Sequence, residues 1–557
     1  MLLIGYVSDE QYQAVAGAFV SLFCGEREVG CAVSSAIGAV FADVPAGEYT
    51  AAVACKGYGS YRSEKFEVAE GGTPHQFRLL SDGLLGYMRP GWSVAGHVAE
   101  FCVHSTEPYR LSLYRCAETQ ELVKLNGWFD AHGPRAVMQI TPDGDYCANG
   151  VRWNTTGWGS PHHTQMIGAP ECSGLYSVHA ETESGRQFSF PWIVAPAKPA
   201  SRIAVLASCL TWNAYNSFGG RSTYVNATGL PPTPTVNARQ DLQRYRGGAY
   251  DEWLAPNDSY AWLSFDRPNP GCSIPFGEKA SDPIRGRDAC HMAGAEWRTL
   301  AWLERENFTY DLYAEPQLHT GTLDLDCYDV LILNVHPEYW SRTMFARVYS
   351  WIYERRGRVM YLGGNGLNCE VEFMEGTDCS VMRCLAQIPA GGGMAGPVTG
   401  ANGQTWYAES RMHSTLETRS EASLLGVVCT DAGIMTAAPY TVINSQHPVF
   451  HATGLRNGDT FGESSLHERV PGGASGHETD KRSQQSPVGT VLLAKGNNPE
   501  AGGAEMVMVD LPGGGRVFSV GSITYPAALL VDDTLSKITR NALQLLLDRT
   551  INTPCPE

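Results

Sequence analysis

No window of this 557-residue chain approaches the roughly 18 unbroken apolar residues of a membrane helix, and its start, MLLIGYVSDEQYQAV, lacks the basic flank and apolar stretch of a signal peptide. Both gaps remove a membrane from the expected partners and make the cytoplasm the expected location. Basic residues are scarce too. Against 58 Asp and Glu there are 41 Lys and Arg, a formal charge of -17. So acidic a chain has no obvious basic face, so nucleic acid and anionic bilayers are not expected as main partners. The 16 cysteines form no CxxC pair and follow no regular spacing. That excludes a zinc-ribbon pattern and a disulfide framework, and it reads as reduced, mostly buried thiols.

What is present is an ordinary globular composition, 43% hydrophobic with 60 glycines and 32 prolines, long enough for several domains. Residues 1–82 alternate short apolar segments such as GAFVSLFC and GAVFADVPAGEYTAAVAC with turn residues, which predicts a small β-sandwich. The piece FADVPAGEYTAAVACKGY is similar to prealbumin-like or carboxypeptidase-regulatory-like modules. Residues 83–198 repeat the pattern, with YRLSLYRC and GLYSVHAETESGRQFSFPWIVAP, and predict a second sandwich, Ig-like or lectin-like. In its loop NTTGWGSPHHTQM, His162 and His163 are either a metal pair or a solvated one.

After the linker APAKPAS, residues 199–557 change character. RIAVLAS, FTYDLYA, YDVLILNV and RVMYLGG read as buried strands; AEWRTLAWLEREN and SRTMFARVYSWIYERRG, the latter closed by Gly357, read as amphipathic helices. Alternating strand and helix predicts an α/β fold with a parallel sheet covered on both faces. Such sheets gather ligand-binding loops at the carboxyl ends of their strands. Three loops qualify: TWNAYNSFGGRSTY after the first strand, HPEYWS after the third and GGNGLNCEVE after the fourth. The tight turn of the last holds Asn365 where a nucleophile elbow would carry serine or cysteine, and Cys369 comes several residues later. Asn365 is therefore expected to shape the turn or to donate hydrogen bonds to a ligand. Tyr339 and Glu338 together offer hard oxygen donors, which favour a hard cation over zinc. Alternatively, Tyr339 and Trp340 cap the sheet and His336 bonds the backbone.

Across Ser201 to Leu547 the ordered motifs TWNAYNSFGGRSTY, SFDRPNPG, WLERENFTYDLY, HPEYWS, GGNGLN, HPVFHATGL, GHETD and GRVFSVGSITY resemble the catalytic domain of the N,N-dimethylformamidase large subunit family. The resemblance implies a three-layer, parallel-sheet fold like that of class I glutamine amidotransferases, without their cysteine nucleophile. It implies a mononuclear ferric iron held by two tyrosines and a glutamate, hydrolysis of the C–N bond of a small linear amide, and a homo-oligomer. Tyr339 matches the tyrosine of the family's HPEY motif. The glutamate is Glu409 or, nearly as well, Glu421. No tyrosine stands just upstream of AWLERENF, so the second one is expected at Tyr215 or Tyr310, with His291 as a substitute. His336 and Glu478 are candidates to move protons, Asn365 to stabilise the oxyanion, and His477 to join them; Asn216, Asp266 and Arg267 are expected at the substrate rim. The competing class is a noncatalytic protein that binds carbohydrate or polypeptide on the same fold, using its 13 Trp and 25 Tyr as stacking surfaces.

Overall fold

The computed structural model describes residues 1–10, 13–58, 61–79, 83–130, 146–150, 165–219, 222–223, 233–234, 262–283, 288–385, 420–430 and 432–548. His162, His163 and Glu409 lie outside them. The first 79 residues build a three-stranded and a five-stranded sheet around a core that includes Val7, Val20, Leu22, Val40, Ala51 and Phe77. Strict alternation produces it: in Phe19–Cys24, Val20 and Leu22 are buried while their neighbours face outward. A second pair of sheets, from Leu85–Arg89 to Gln187–Ala195, encloses Phe101, Leu111, Leu113, Val178 and Trp192.

The remaining described residues are organised around a nine-stranded sheet, beside which lie a four-stranded sheet that includes Tyr339–Ser341 and two two-stranded ones. Along the chain its strands, with four helices, are β1 (Ile203–Ala207), α1 (Cys209–Tyr215), α2 (Ala293–Arg305), β2 (Asp311–Ala314), β3 (Val330–Val335), α3 (Arg342–Arg355), β4 (Arg358–Gly363), β5 (Tyr440–Val442), β6 (Thr460–Phe461), β7 (Val491–Gly496), β8 (Glu505–Asp510), β9 (Arg516–Ser519) and α4 (Asp533–Leu547). The spatial order is β2-β1-β3-β4-β9-β8-β7-β5-β6. Every residue of β1, β3 and β4 is buried, Asn334 and Arg358 included, as largely apolar strands in the middle of a sheet demand. Helix α3 starts where the Ser341 hydroxyl accepts the Met344 N–H at 3.2 Å. It ends on Arg356, in a left-handed conformation, one residue before the expected Gly357. Among the described residues no helix is long and apolar enough to cross a membrane.

This architecture corrects the expected parallel three-layer, glutamine amidotransferase-like α/β fold. Strand makes up 39% and helix only 17% of the structure, spread over many sheets that are mostly antiparallel or mixed. In the large sheet the neighbours from β2 to β9 pair in parallel, but β9-β8-β7-β5-β6 are antiparallel. The reason lies in the connections. β8 and β9 are joined by LPGGG, closed by Leu511 N–H to Gly515 O at 2.9 Å, and a turn so short cannot carry the crossover that parallel strands require.

The second pair of sheets covers the β2 edge of the large sheet. The Ser173 hydroxyl accepts the Leu312 N–H at 2.8 Å, Trp297 donates to Ala117 O at 2.5 Å, and Arg115 pairs with Glu304 at 2.5 Å. An uncovered edge strand is a template for aggregation. A chain starting at residue 83 is therefore expected to elute as a single folded species in size-exclusion chromatography, whereas one starting at residue 199 is expected to aggregate.

Candidate functional site

The carboxyl ends of β1, β3 and β4 converge on one buried polar cluster, and the backbone there is unusual. Val335, the last residue of β3, has φ +49°; Asn365 and Leu367, after β4, have +50° and +58°; His477 has +68°. A left-handed β-branched residue is a genuine outlier, and strain of this kind persists only where packing over-determines it. Glycines supply that packing. A Cβ on Gly363 would lie 2.2 Å from Val335 O, and one on Gly364 would lie 2.5 Å from Glu478 O. The GGNG turn thus lets β3, β4 and the Glu478 segment approach more closely than side chains permit.

The turn after β3 is then pinned from α1: the Thr211 hydroxyl donates to His336 O at 2.7 Å and accepts the Glu338 N–H at 3.1 Å. Two buried carboxylates hold α1 at its start. Glu296 accepts Ser208 N–H at 3.1 Å and Trp212 Nε1–H at 2.7 Å, while Glu315 accepts Leu210 N–H and Trp340 Nε1–H, both at 2.8 Å. Burial pushes Glu296 well above the carboxylate range and Glu315 up to about 8. At the other end of α1, Tyr215 donates to Glu338 Oε2 at 3.2 Å and lies 3.3 Å from His336 Nε2.

His336 donates from Nδ1 to Gly364 O at 3.0 Å and places Nε2 3.0 Å from Glu338 Oε2, a pair of acceptors that suits an imidazolium. Burial by itself would lower its pKa, but the Glu338 carboxylate reverses the sign and lifts it to about 9. Glu478 stands 3.9 Å away across the ring nitrogen and accepts Asn365 Nδ2–H at 2.6 Å. Burial raises the Glu478 carboxyl, with His336 opposing. Asp480, pushed by burial up to about 7, braces the turn by accepting Asn365 N–H and the Tyr361 hydroxyl, both at 2.8 Å.

Three more imidazoles line this cluster. His291 lies against Tyr215, His336 and His477, with ring centroids 4.4, 5.4 and 5.7 Å apart, and its buried Nε2 has no hydrogen-bond partner among the described residues. His467 accepts Val470 N–H at Nδ1 (3.1 Å), so its Nε2 carries the hydrogen that reaches His477 Nδ1 at 3.3 Å. Cys290, His467 and His477 bring ligand atoms within 4.8 Å of one another. This tautomer nevertheless leaves His467 Nε2 without a lone pair for a metal. Burial, reinforced by neighbouring histidines and arginines, holds all three rings neutral, His467 at about 3.

Of the residues expected from the sequence, His336, Glu478, Asn365, His477 and Tyr215 meet here. Tyr339 is one residue from Glu338 and has Glu338 and Tyr215 as electrostatic neighbours, but its ring is 1% exposed in the apolar cluster with Trp340, Met344 and Leu367. Glu421 begins the short helix Ala422–Leu425, and Tyr310 bonds Glu304 at 3.2 Å. Asn216, Asp266 and Arg267, expected at the rim, staple the loop beside α1 instead. Asn216 donates to Pro268 O at 2.9 Å, Asp266 pairs with Arg89 at 3.3 Å, and Arg267 donates to Ser264 O, Phe218 O and Asn213 O. The sequence reading missed Asp480, His467 and the contact of Glu338 with Tyr215. The first stands two residues after Glu478 in GHETD and could have been found there.

A family model described as N,N-dimethylformamidase beta subunit-like, C-terminal, matches residues 122–538. The chain belongs to this family. No curated protein matches it. Among solved structures, the Bacillus anthracis TIE protein shares 14% identity over 37% of this chain, with a TM-score of 0.13, and the chain spans only 36% of that protein's length. A putative carbohydrate binding protein from Bacteroides uniformis ATCC 8492 shares 14% over 33% of this chain and 93% of its own. A DUF3823 family protein from Bacteroides ovatus ATCC 8483 shares 10% over 34% and 98%. Both of the latter also have TM-scores of 0.13. Family membership thus rests on sequence, and it spans every element of the cluster.

The raised groups set a pH dependence. His336, Glu315 and Asp480 have folded pKa values of about 9, 8 and 7, above their ordinary 6.5, 4.5 and 3.8. Above neutrality the folded state holds more protons than the unfolded one, so unfolding free energy falls as pH rises. The lowered histidines oppose this only near pH 7, where their unfolded rings still hold a fraction of a proton, and are neutral in both states by about pH 8. Urea midpoints of the metal-free protein should decline from pH 7 to 9, less steeply in Glu315→Gln; a flat or rising profile contradicts these assignments. Gly364→Ala should destabilise by about 1–3 kcal/mol in the same assay.

Proposed function

We propose that this cluster hydrolyses the C–N bond of a small amide. One observation carries the reading: in a chain of the dimethylformamidase-like family, Glu478, raised by burial, faces the His336 imidazolium at 3.9 Å. Amide hydrolysis needs a group that takes a proton from water and returns it to the departing amine, which a carboxyl titrating nearer neutrality does better than an ordinary one. Glu478 fills that role, oriented by Asn365. Water adds its hydroxyl to the carbonyl carbon, the C–N bond breaks, and the proton passes through Glu478 to nitrogen. His336 is a fixed positive charge for the oxyanion, pre-aligned by Gly364 O and Glu338. Strand ends and a short helix, rather than mobile side chains, hold these groups in place.

The family resemblance brings an expectation of mononuclear iron. The donor chemistry present fits it, since Tyr215 and Glu338 put a phenol and a carboxylate oxygen 3.2 Å apart in a buried setting, both hard ligands. These two residues would hold the ion, and when bound it would supply Lewis acidity to the amide carbonyl. Tyr339, buried against Trp340, Met344 and Leu367 with Glu338 and Tyr215 as its polar neighbours, then supports these two ligands from beneath. A purely ligand-binding or assembly role has no comparable support.

Purified, iron-loaded protein should release amine from at least one member of a panel of small linear amides; inertness toward all of them would sink the reading. Glu478→Gln should lower kcat by roughly 10²- to 10⁴-fold with metal content unchanged. Elemental analysis should find iron lost from Tyr215→Phe and Glu338→Gln and kept in Tyr339→Phe.

A further inference from the structure

The seam between the second pair of sheets and the large sheet is not closed everywhere. Beside α1 it leaves a cavity of about 70 Å³ for the centres of water-sized spheres, roughly five times the ~10–15 Å³ that a single water needs. Tyr87, Trp92, Phe190 and Ile193 of the second pair of sheets form one wall, and Trp212 of α1 with Phe265 forms the other. Tyr87, Phe190, Ile193 and Trp212 are buried. Trp92 and Phe265 are half-buried and mark the mouth, their rings meeting edge to face with centroids 5.1 Å apart.

Helical periodicity separates this cavity from the polar cluster. Thr211 and Tyr215, four residues apart on α1, reach His336 and Glu338. Cys209, Trp212 and Asn213 lie on the other side of the same helix and line the cavity, with Asn216 just past its end.

The hydrogen bonding of the lining narrows the choice of ligand. Asn213, Asn216 and Asn269 donate to Leu263 O, Pro268 O and Trp212 O at 3.1, 2.9 and 2.9 Å, and Trp212 Nε1 donates to Glu296 at 2.7 Å. Arg267 spends donors from all three guanidinium nitrogens on the carbonyls of Ser264, Phe218 and Asn213. Such a lining has little with which to hold water, and burying a charged ligand in it would be costly. Aromatic walls instead favour another ring, which gains offset and edge-to-face contacts.

We propose that this cavity is an accessory binding site for a small neutral aromatic molecule of one ring or two fused rings, held between Trp92 and Phe265 at the mouth and Trp212 within. The volume is too small for a polypeptide segment, and a junction between modules is a common setting for small-molecule recognition. The inference stands apart from the amidase reading, since the two sites occupy opposite sides of α1.

Indole and phenol are the probes. Calorimetry on the full chain should find one site for at least one of them, and the thermal midpoint should rise with its concentration. Indole-2-carboxylate, which adds a charge to the same ring system, should bind at least about tenfold more weakly than indole. Cyclohexanol, close to phenol in size but without a π face, should bind more weakly than phenol. Trp92→Ala and Phe265→Ala, both at half-buried positions, should each weaken binding about tenfold with the circular dichroism spectrum unchanged. Glu478→Gln should bind indole as tightly as the wild type. Failure of both probes to bind, equal binding of the charged or the saturated analogue, or binding that survives both alanine variants overturns the inference. Loss of binding in Glu478→Gln overturns it as well, by placing the ring in the polar cluster.

Discussion

Everything at the carboxyl edge depends on the close approach of Val335 O to Gly363 and of Glu478 O to Gly364. Had either glycine a side chain, its first carbon would fall 2.2 or 2.5 Å from a backbone atom. The left-handed Val335 turns the chain sharply out of β3 and delivers His336, Glu338 and Tyr339 to their separate environments. Asn365 and His477, also left-handed, do the same for their segments. Local strain is thus concentrated where three loops must meet, and the surrounding fully buried strands hold it.

The consequence is electrostatic sorting. Of four imidazoles within successive ring contact, burial keeps three neutral, and the Glu338 carboxylate makes the fourth a cation. Carboxyls sort the same way. Glu338 is tied to His336 and Tyr215, whereas Glu478, Glu315 and Asp480 are pushed toward their protonated forms by burial, which outweighs the opposing pull of the His336 cation. Neither set of residues differs in intrinsic chemistry; depth and neighbours assign the roles.

The two N-terminal β-modules bear on this site indirectly. The second covers the β2 edge and packs against α2, the helix that supplies Glu296 to the start of α1. Tyr215 is therefore held at the end of a short helix whose beginning is fastened by buried carboxylates and whose flank is closed by another module. A seven-residue helix has little stability by itself, and these tertiary bonds replace what its length cannot provide.

Much of the site was legible in the primary structure. Largely apolar runs such as VLILNV and RVMYLG announce buried strands, GGNG announces a tight turn around Asn365, and the motifs that follow them fall at strand ends, where loops meet. Those are local properties, encoded within a few residues by periodicity and by the φ that glycine permits. Tertiary structure decided the rest. The antiparallel half of the sheet follows from short hairpins whose pairing a strand pattern does not reveal. The choice of Glu338 as the partner of Tyr215 joins residues 123 apart, and the Val470–His467–His477 chain depends on two loops meeting at hydrogen-bond distance. Such contacts depend on how strands and loops align in space, so no run of neighbouring residues carries them.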